Sequence, residues 1–187
     1  MWTNIVPLFL SIIIFSTTQN KTISFLKEAL VFRFTNFECK TYNQSWFVFH
    51  HCRLKAVNRE RVLLNVNGTI LHPAHNIQLH AKIYKKASGF KPWLIDSKVD
   101  ACRFMRKRYD PFLGIVFNIF QEFSNINHTC PYVGLQVVKD FYLRAERLNL
   151  PVPSGEYLLA MQWYFDKKRQ FDTNVSFVYE EDLLKRN

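Results

Sequence analysis

Hydrophobic and polar residues alternate along most of the chain with the two-residue period of a β-strand, in which successive side chains point to opposite faces. The alternation predicts seven or eight antiparallel strands, and such a chain closes most simply as a sandwich of two sheets. Turn residues separate the predicted strands, which are 31–39, 46–57, 61–72, 77–86, 92–95, 132–143, 156–165 and 171–179. The sequence therefore predicts an all-β fold with one helix.

One segment departs from this period, between Cys102 and Cys130. Asp110 and Pro111 stand in the order typical of a helix cap and a first helical residue, and a run of apolar residues follows them. We predict an amphipathic helix over 110–124, which either closes the sandwich as a lid or plug or only completes its core. Its polar stripe consists of Gly114, Asn118, Gln121 and Glu122.

The segment 61–72 contains a signal that conflicts with a strand. Asn67 and Gly68 are typical of a tight hairpin, but Leu64, Val66 and Ile70 keep to one face straight through them. We therefore predict one continuous strand with Gly68 facing inward. The missing side chain then either leaves space unfilled or lets another backbone approach closely.

The chain is long enough for one domain with a sizeable core. Its first 19 residues contain a short apolar run followed by small polar residues, as in a secretory signal peptide. The run is too short and too interrupted to favour a membrane anchor. We expect residues 20–30 to form a lead-in, residues 31–179 the β-sandwich domain and residues 180–187 a charged tail.

Four cysteines follow the predicted signal peptide, none of them in a CxxC arrangement. An even number in a secreted chain favours two disulfides over a metal site. Of the three pairings we prefer Cys39 with Cys52 and Cys102 with Cys130, because each pair closes a local unit, the first of them a β-hairpin. Each bridge would contribute roughly 3 to 3.5 kcal/mol in the loop-entropy account.

Five sequons for N-linked glycosylation also favour secretion. We predict glycans at Asn43, Asn127 and Asn174, because each lies in a predicted loop or on an outward strand face. Asn67 is a further candidate on a predicted strand, and Asn20 begins the lead-in. The predicted location is therefore extracellular.

The chain carries a formal net charge of +10, and its first 20 residues contain no charged side chain. Basic clusters could attract an anionic membrane surface or acidic glycans, although an ordinary solvated surface is the commoner situation. The secretory features argue against nucleic acid as a partner. A second cluster lies at 167–169, and the densest one consists of Arg103, Arg106, Lys107 and Arg108.

Recognised catalytic motifs are absent from the sequence, so we expect no enzymatic activity and no cofactor. His50, His51, His72 and His75 have no carboxylate or cysteine nearby at metal-ligand spacing, which argues against a metal site. The chain instead has 18 Phe, 8 Tyr and 4 Trp residues. Such aromatic content suits the walls of an apolar pocket, and equally a densely packed core.

If a cavity lies between the sheets, the inward faces of the strands and the helix supply its walls. The ligand-contacting side chains that these faces predict are Trp46, Val48, Leu64, Val66, Leu79, Ile83, Phe117, Phe120, Tyr157, Met161 and Trp163.

Three segments resemble a large insect family of small secreted proteins that is defined only as a domain of unknown function. They are LNVNGTILHPAHNIQLHAKIYKKASGFKPWLIDSKVDAC (64–102), NHTCPYVG (127–134) and LPVPSGEYLL (150–159). That family is similar to the ML (lipid-recognition) superfamily, which includes the ganglioside activator protein and the chemosensory CheB proteins. The resemblance spans about residues 31–179.

The resemblance implies an immunoglobulin-like β-sandwich whose sheets part to admit a lipid, together with secretion and no catalysis. ML domains often have a further cysteine near the C-terminus, whereas this chain has none after Cys130. The expected function is binding of a lipid or another small hydrophobic molecule, a pheromone among them. The alternative is a secreted glycoprotein with a filled core that binds a receptor or another protein through its surface.

Overall fold

The computed structural model describes residues 30–148 and 152–181. The predicted signal peptide lies outside these ranges, as do nearly all of the predicted lead-in and most of the predicted tail. The strands within them are β1 (Leu30–Thr41), β2 (Phe47–Ala56), β3 (Val62–Ala74), β4 (Ile77–Ala87), β5 (Gly89–Asp100), β6 (Tyr132–Phe141), β7 (Gly155–Phe165) and β8 (Lys168–Glu181).

The helices of the described chain lie between β5 and β6. They are α1 (Ala101–Arg106) and α2 (Pro111–Phe120), and single 3₁₀ turns occur at Gln121–Phe123 and Ala145–Arg147. In the residues that the structure describes, no helix is both long and apolar enough to span a membrane.

The strands form two antiparallel sheets, a larger one with the order β1-β8-β7-β4-β5 and a smaller one with the order β2-β3-β6. Their apolar faces meet in a common core that includes Phe34, Leu79 and Val175 of the larger sheet and Leu64 of the smaller one. The predicted fold class, an immunoglobulin-like sandwich of two antiparallel sheets with a helical insertion, is confirmed.

The first disulfide joins the two sheets instead of closing a hairpin. Cys39 and Cys52 are bonded as predicted. However, β1 pairs with β8, and β2 pairs with β3, so the predicted hairpin of the first two strands is wrong. The bridge connects an edge strand of the larger sheet to an edge strand of the smaller sheet, and it closes that side of the sandwich.

β3 continues through Asn67 and Gly68 without a turn, as predicted. A methyl group built on Gly68 would lie 2.5 Å from Cζ of Phe47 and 2.7 Å from the backbone oxygen of Val48. Of the two explanations for this inward glycine, the close backbone approach is therefore the right one.

We expect Gly68→Ala to lower the free energy of unfolding by about 1 to 3 kcal/mol, the usual range for overpacking a core. A backbone oxygen cannot rotate out of the way, so β2 would have to shift. Denaturant unfolding measures the loss. Gly114→Ala is the matched control, because nothing lies within 4 Å of a methyl group there and alanine favours a helix. A Gly68→Ala protein as stable as the parent would contradict the close packing.

Two helices occupy the segment between Cys102 and Cys130, which are disulfide-bonded as predicted. The carboxylate of Asp110 accepts a hydrogen bond from the backbone N–H of Leu113 at 2.8 Å, and Pro111 is the first residue of α2. The predicted helix start is confirmed, and a 3₁₀ turn takes up the last part of the predicted helix. The hydrophobic pattern does not predict α1.

Candidate ligand cavity

A cavity of about 600 Å³ lies between the two sheets. Inward side chains of both sheets, the helices and the β6–β7 connection form its walls, which are almost entirely apolar. Its volume falls within the range of pockets that hold small molecules, about 300 to 1,000 Å³. The shape and chemistry of this space suit a hydrophobic ligand.

The structure brings most of the predicted ligand-contacting residues to this cavity. Strict alternation along β3, β4 and β7 explains the agreement, because every second side chain of these strands faces the opposite sheet. The predicted residues that line the cavity are Leu64, Val66, Leu79, Ile83, Phe117, Phe120, Tyr157, Met161 and Trp163.

The other two predicted residues, Trp46 and Val48, are not among the lining residues. Trp46 precedes β2, and its indole N–H donates a hydrogen bond to the carbonyl oxygen of His72 at 3.2 Å. Val48 is paired with Thr69 of β3. Neither side chain forms part of the cavity wall.

A bulge in β2 explains this difference. The register between β2 and β3 shifts between Phe49 and His51, and one extra residue exchanges the two faces of a strand. Phe47 and Phe49 consequently line the cavity before the bulge. The prediction assumed a single uninterrupted alternation through β2, which holds only after the bulge, where Cys52 reaches the larger sheet.

The two helices form one wall of the cavity. The buried ring of Phe117 lies 5.9 Å from that of Phe104 in α1 and 5.3 Å from that of Phe120. Phe120 extends the contact to Phe141 of β6 at 6.4 Å. These edge-to-face and tilted contacts, which are favourable aromatic geometries, tie the helical wall to the smaller sheet.

The cavity reaches the surface beside β5. Pairing between β4 and β5 is irregular between Pro92 and Asp96, and Trp93, Leu94 and Ile95 all line the cavity within this interruption. Leu94 has a φ of 48° and is 81% exposed. A positive φ is uncommon for a residue other than glycine. The distorted segment therefore places an apolar side chain at the rim of the cavity.

Tyr157 lies fully buried beneath this rim. Its ring is 5.0 Å from that of Trp93 and 5.5 Å from that of Phe177. Its hydroxyl donates a hydrogen bond to the carbonyl oxygen of Pro153. Burial raises the pKa of Tyr157, so this hydroxyl remains neutral and already has its acceptor.

Of the described residues that line the cavity, none is charged. The indole N–H of Trp163 donates to the hydroxyl of Thr173 at 3.0 Å, so these two polar groups satisfy each other. A carboxylate or ammonium group placed deep inside would have no charged partner and would lose its hydration. The interior therefore favours an uncharged molecule.

Residues 79–159 match the family described as "Protein of unknown function (DUF1091)". The matched segment covers less than half of the chain. It runs from β4 into β7 and includes the rim, both helices and the second disulfide. The DUF1091 segment thus supplies the helical wall and one side of the cavity. No curated protein matches the sequence.

The chain is also similar to a solved structure, described as "Crystal structure of a Niemann-Pick type C2 protein from Japanese carpenter ant". The two share 15% sequence identity over 79% of this chain and 90% of that chain, with a TM-score of 0.28. At that identity and TM-score the similarity does not bear on what this chain binds.

The basic cluster of the DUF1091 segment is partly packed against aromatic rings. The guanidinium groups of Arg103 and Arg108 lie 4.6 Å and 4.2 Å from the centres of such rings, a cation–π arrangement. Arg106 and Lys107 are exposed. Attraction of an anionic surface by this cluster stays a prediction.

The sequon asparagines that the structure describes lie at different places in the sandwich. Asn43 lies in the connection before β2, and Asn127 is exposed in the connection before β6. Asn67 belongs to β3 and Asn174 to β8. Glycosylation at these four positions stays a prediction.

Ionisable side chains do not form a metal site in the described ranges 30–148 and 152–181. The carboxylate of Asp96 accepts hydrogen bonds from Lys82 at 2.9 Å and from His80 at 2.5 Å. These two donors, Lys82 foremost, hold the pKa of Asp96 below its usual value. Their neighbours on β4, Ala81 and Ile83, line the cavity, so this cluster belongs to the outer face of the sheet.

Sequence reasoning missed several aromatic lining residues. Phe34 could have been found, because apolar and polar residues alternate over 31–39. Phe104 could not, because it lies within a run of basic residues that hides the short helix α1. The missed aromatic lining residues are Phe32, Phe34, Phe37, Phe47, Phe49, Trp93, Phe104, Phe112, Tyr132, Phe141, Phe165, Phe171 and Phe177.

Proposed function

We propose that this protein is a secreted, non-catalytic carrier that holds a lipid or another small hydrophobic molecule, such as a pheromone, between its two sheets. The observation that supports this most strongly is the cavity of about 600 Å³ with apolar walls and no charged lining residue among those described. A sandwich folded only for stability would fill such a space, because protein interiors are close-packed. The resemblance to ML lipid-recognition proteins agrees with this function.

Two disulfides support the extracellular location, because such bonds persist mainly in oxidising compartments. The rim supports exchange with a membrane. Exposed Leu94 lies on the same hairpin as Lys85, Lys86 and Lys91, a combination of apolar and basic side chains that suits an anionic lipid surface. Contact with such a surface would bring the opening of the cavity to the lipid.

Filling the cavity is the direct test of this function. We expect Ala81→Phe to weaken retention of a fluorescent fatty-acyl probe, because Ala81 is buried and lines the cavity and the added ring would take up part of its volume. The free energy of unfolding should fall by about 1 to 3 kcal/mol, the range for overpacking, because Ala81 is only 3% exposed. Probe titration and extraction with organic solvent, followed by mass spectrometry of the purified secreted protein, provide the measurements.

Ala160→Phe is the matched control. Ala160 lies on the neighbouring strand β7 between two lining residues, Leu159 and Met161, and is not itself a lining residue. Its variant should retain the probe like the parent protein. Equal retention by Ala81→Phe and Ala160→Phe would show that the probe does not occupy the cavity.

A surface for another protein is the second candidate function. The outer face of the smaller sheet exposes Leu71, Val133 and Leu135 by 46%, 52% and 53%. Exposed apolar side chains grouped in this way are typical of protein-binding surfaces. This alternative predicted a filled core, whereas the structure has a cavity between the sheets. A carrier could also bind a receptor through the outer face of the smaller sheet.

A further inference from the structure

The cavity contains one polar side chain whose acceptor is unused. Gln136 of β6 lines the cavity, and its Oε1 is buried with no hydrogen-bond partner among the described residues. Buried polar atoms are nearly always paired, and an unpaired one in a native protein calls for an explanation. The surrounding walls are almost entirely apolar, and the residues that the structure describes offer no donor to this oxygen.

The hydrogen bonds of the amide nitrogen fix the orientation of the Gln136 side chain. Nε2 of Gln136 donates to the carbonyl oxygens of Val133 and Gly134, at 3.3 Å and 3.4 Å. Both neighbours are acceptors, so the amide nitrogen faces them and the amide oxygen faces away. The acceptor is therefore held in place by the strand that carries it.

The position of Gln136 in the sheet also favours contact with a ligand. Gln136 pairs with Gly68 of β3, whose inward side is covered by the ring of Phe47, another lining residue. Tyr132 and Val138, which share its face by alternation, are lining residues as well. The amide thus belongs to the part of β6 that faces the space between the sheets.

From this geometry we infer that Gln136 is the specificity-determining contact of the cavity, and that the ligand is an uncharged hydrophobic molecule with a hydroxyl or N–H group that donates to Oε1. The inference rests on the proposed function. A long-chain alcohol satisfies both conditions. A fatty acid ionised at neutral pH does not, because a carboxylate cannot donate to Oε1 and would have no cation beside it.

Two probes of equal chain length measure the contribution of the ligand's hydroxyl donor to binding. The first is a 16-carbon primary alcohol, and the second is its methyl ether, which keeps the oxygen but lacks the O–H. Competition with a fluorescent acyl probe gives the affinity of each. We expect the parent protein to bind the alcohol about tenfold more tightly, because the ether leaves the buried oxygen unpaired.

Gln136→Met should remove this preference, because methionine has a similar shape but no amide. Its affinity for the ether should equal or exceed that of the parent protein. Gln162→Met is the matched control on β7. Gln162 is not a lining residue, and its Oε1 accepts a hydrogen bond from Tyr164. This control should keep the tenfold preference.

The outcomes separate this inference from the function on which it rests. Failure of the parent protein to bind either probe would overturn carriage of acyl chains itself. Equal binding of both probes by the parent protein would leave carriage intact and overturn the role of Gln136, as would a preference that persists in Gln136→Met. If that variant does not fold, NMR of the parent protein decides: the side-chain amide resonances of Gln136 should shift with the alcohol and not with the ether.

Discussion

Replacing Phe117 by alanine is expected to lower the free energy of unfolding by about 3 to 5 kcal/mol, the range for large aromatic truncations in a core. Phe117 is only 4% exposed and contacts the rings of Phe104 and Phe120. Its removal would also detach α2 from α1. Denaturant unfolding of protein freed of bound lipid measures the loss, since a bound ligand would add its own stabilisation.

Phe120→Ala should lower the free energy of unfolding less than Phe117→Ala does. It should lower ligand retention more. Phe120 is half-buried, lines the cavity and reaches Phe141 across to the smaller sheet. Asn118→Ala is the control on the exposed side of α2 and should change stability by no more than about 0.5 kcal/mol. If both phenylalanine variants lose stability and retain the acyl probe like the parent protein, the helix only completes the core.

The alternation of apolar residues predicted the strands and most of the cavity, because it depends on local geometry. In β7, Tyr157, Met161 and Trp163 follow the two-residue period without interruption, and all three line the cavity. A face that is buried specifies its register strongly. The same reasoning predicted Gly68 to face inward within a continuous β3.

Strand partners could not be predicted in the same way. β1 is followed directly by β2 in the chain, yet it pairs with β8, whose residue Phe177 lies opposite Phe34. Such a pairing depends on the meeting of distant segments, which the local pattern does not contain. The disulfide of Cys39 and Cys52 was consequently predicted correctly for a reason that was wrong.

Local irregularities in the strands also limited the prediction of lining residues from the sequence. One bulge in β2 removed Trp46 and Val48 from the set of lining residues. The volume of the cavity depends on how far two faces stand apart, and no single strand encodes this distance. Gln136 escaped notice because an isolated polar residue in a strand is indistinguishable in sequence from a solvated one.

The two disulfides should differ in what they hold together, although their contributions to stability should be similar. Removing either bridge, as Cys39→Ala/Cys52→Ala or as Cys102→Ala/Cys130→Ala, is expected to lower the free energy of unfolding by about 3 to 3.5 kcal/mol. The closed loops span sequence separations of 13 and 28 residues, and loop-closure entropy rises only slowly with length.

The rate of ligand release should distinguish the two disulfides. The bridge of Cys102 and Cys130 ties down both ends of the segment that carries the helical wall, so its loss should speed release of the acyl probe. The bridge of Cys39 and Cys52 joins the sheets at the opposite edge, between β1 and β2. Its loss should lower stability without mobilising the helices. Stopped-flow release and hydrogen exchange over residues 101–130 measure the two effects, and equal acceleration in both variants would contradict a gating role for the helical wall.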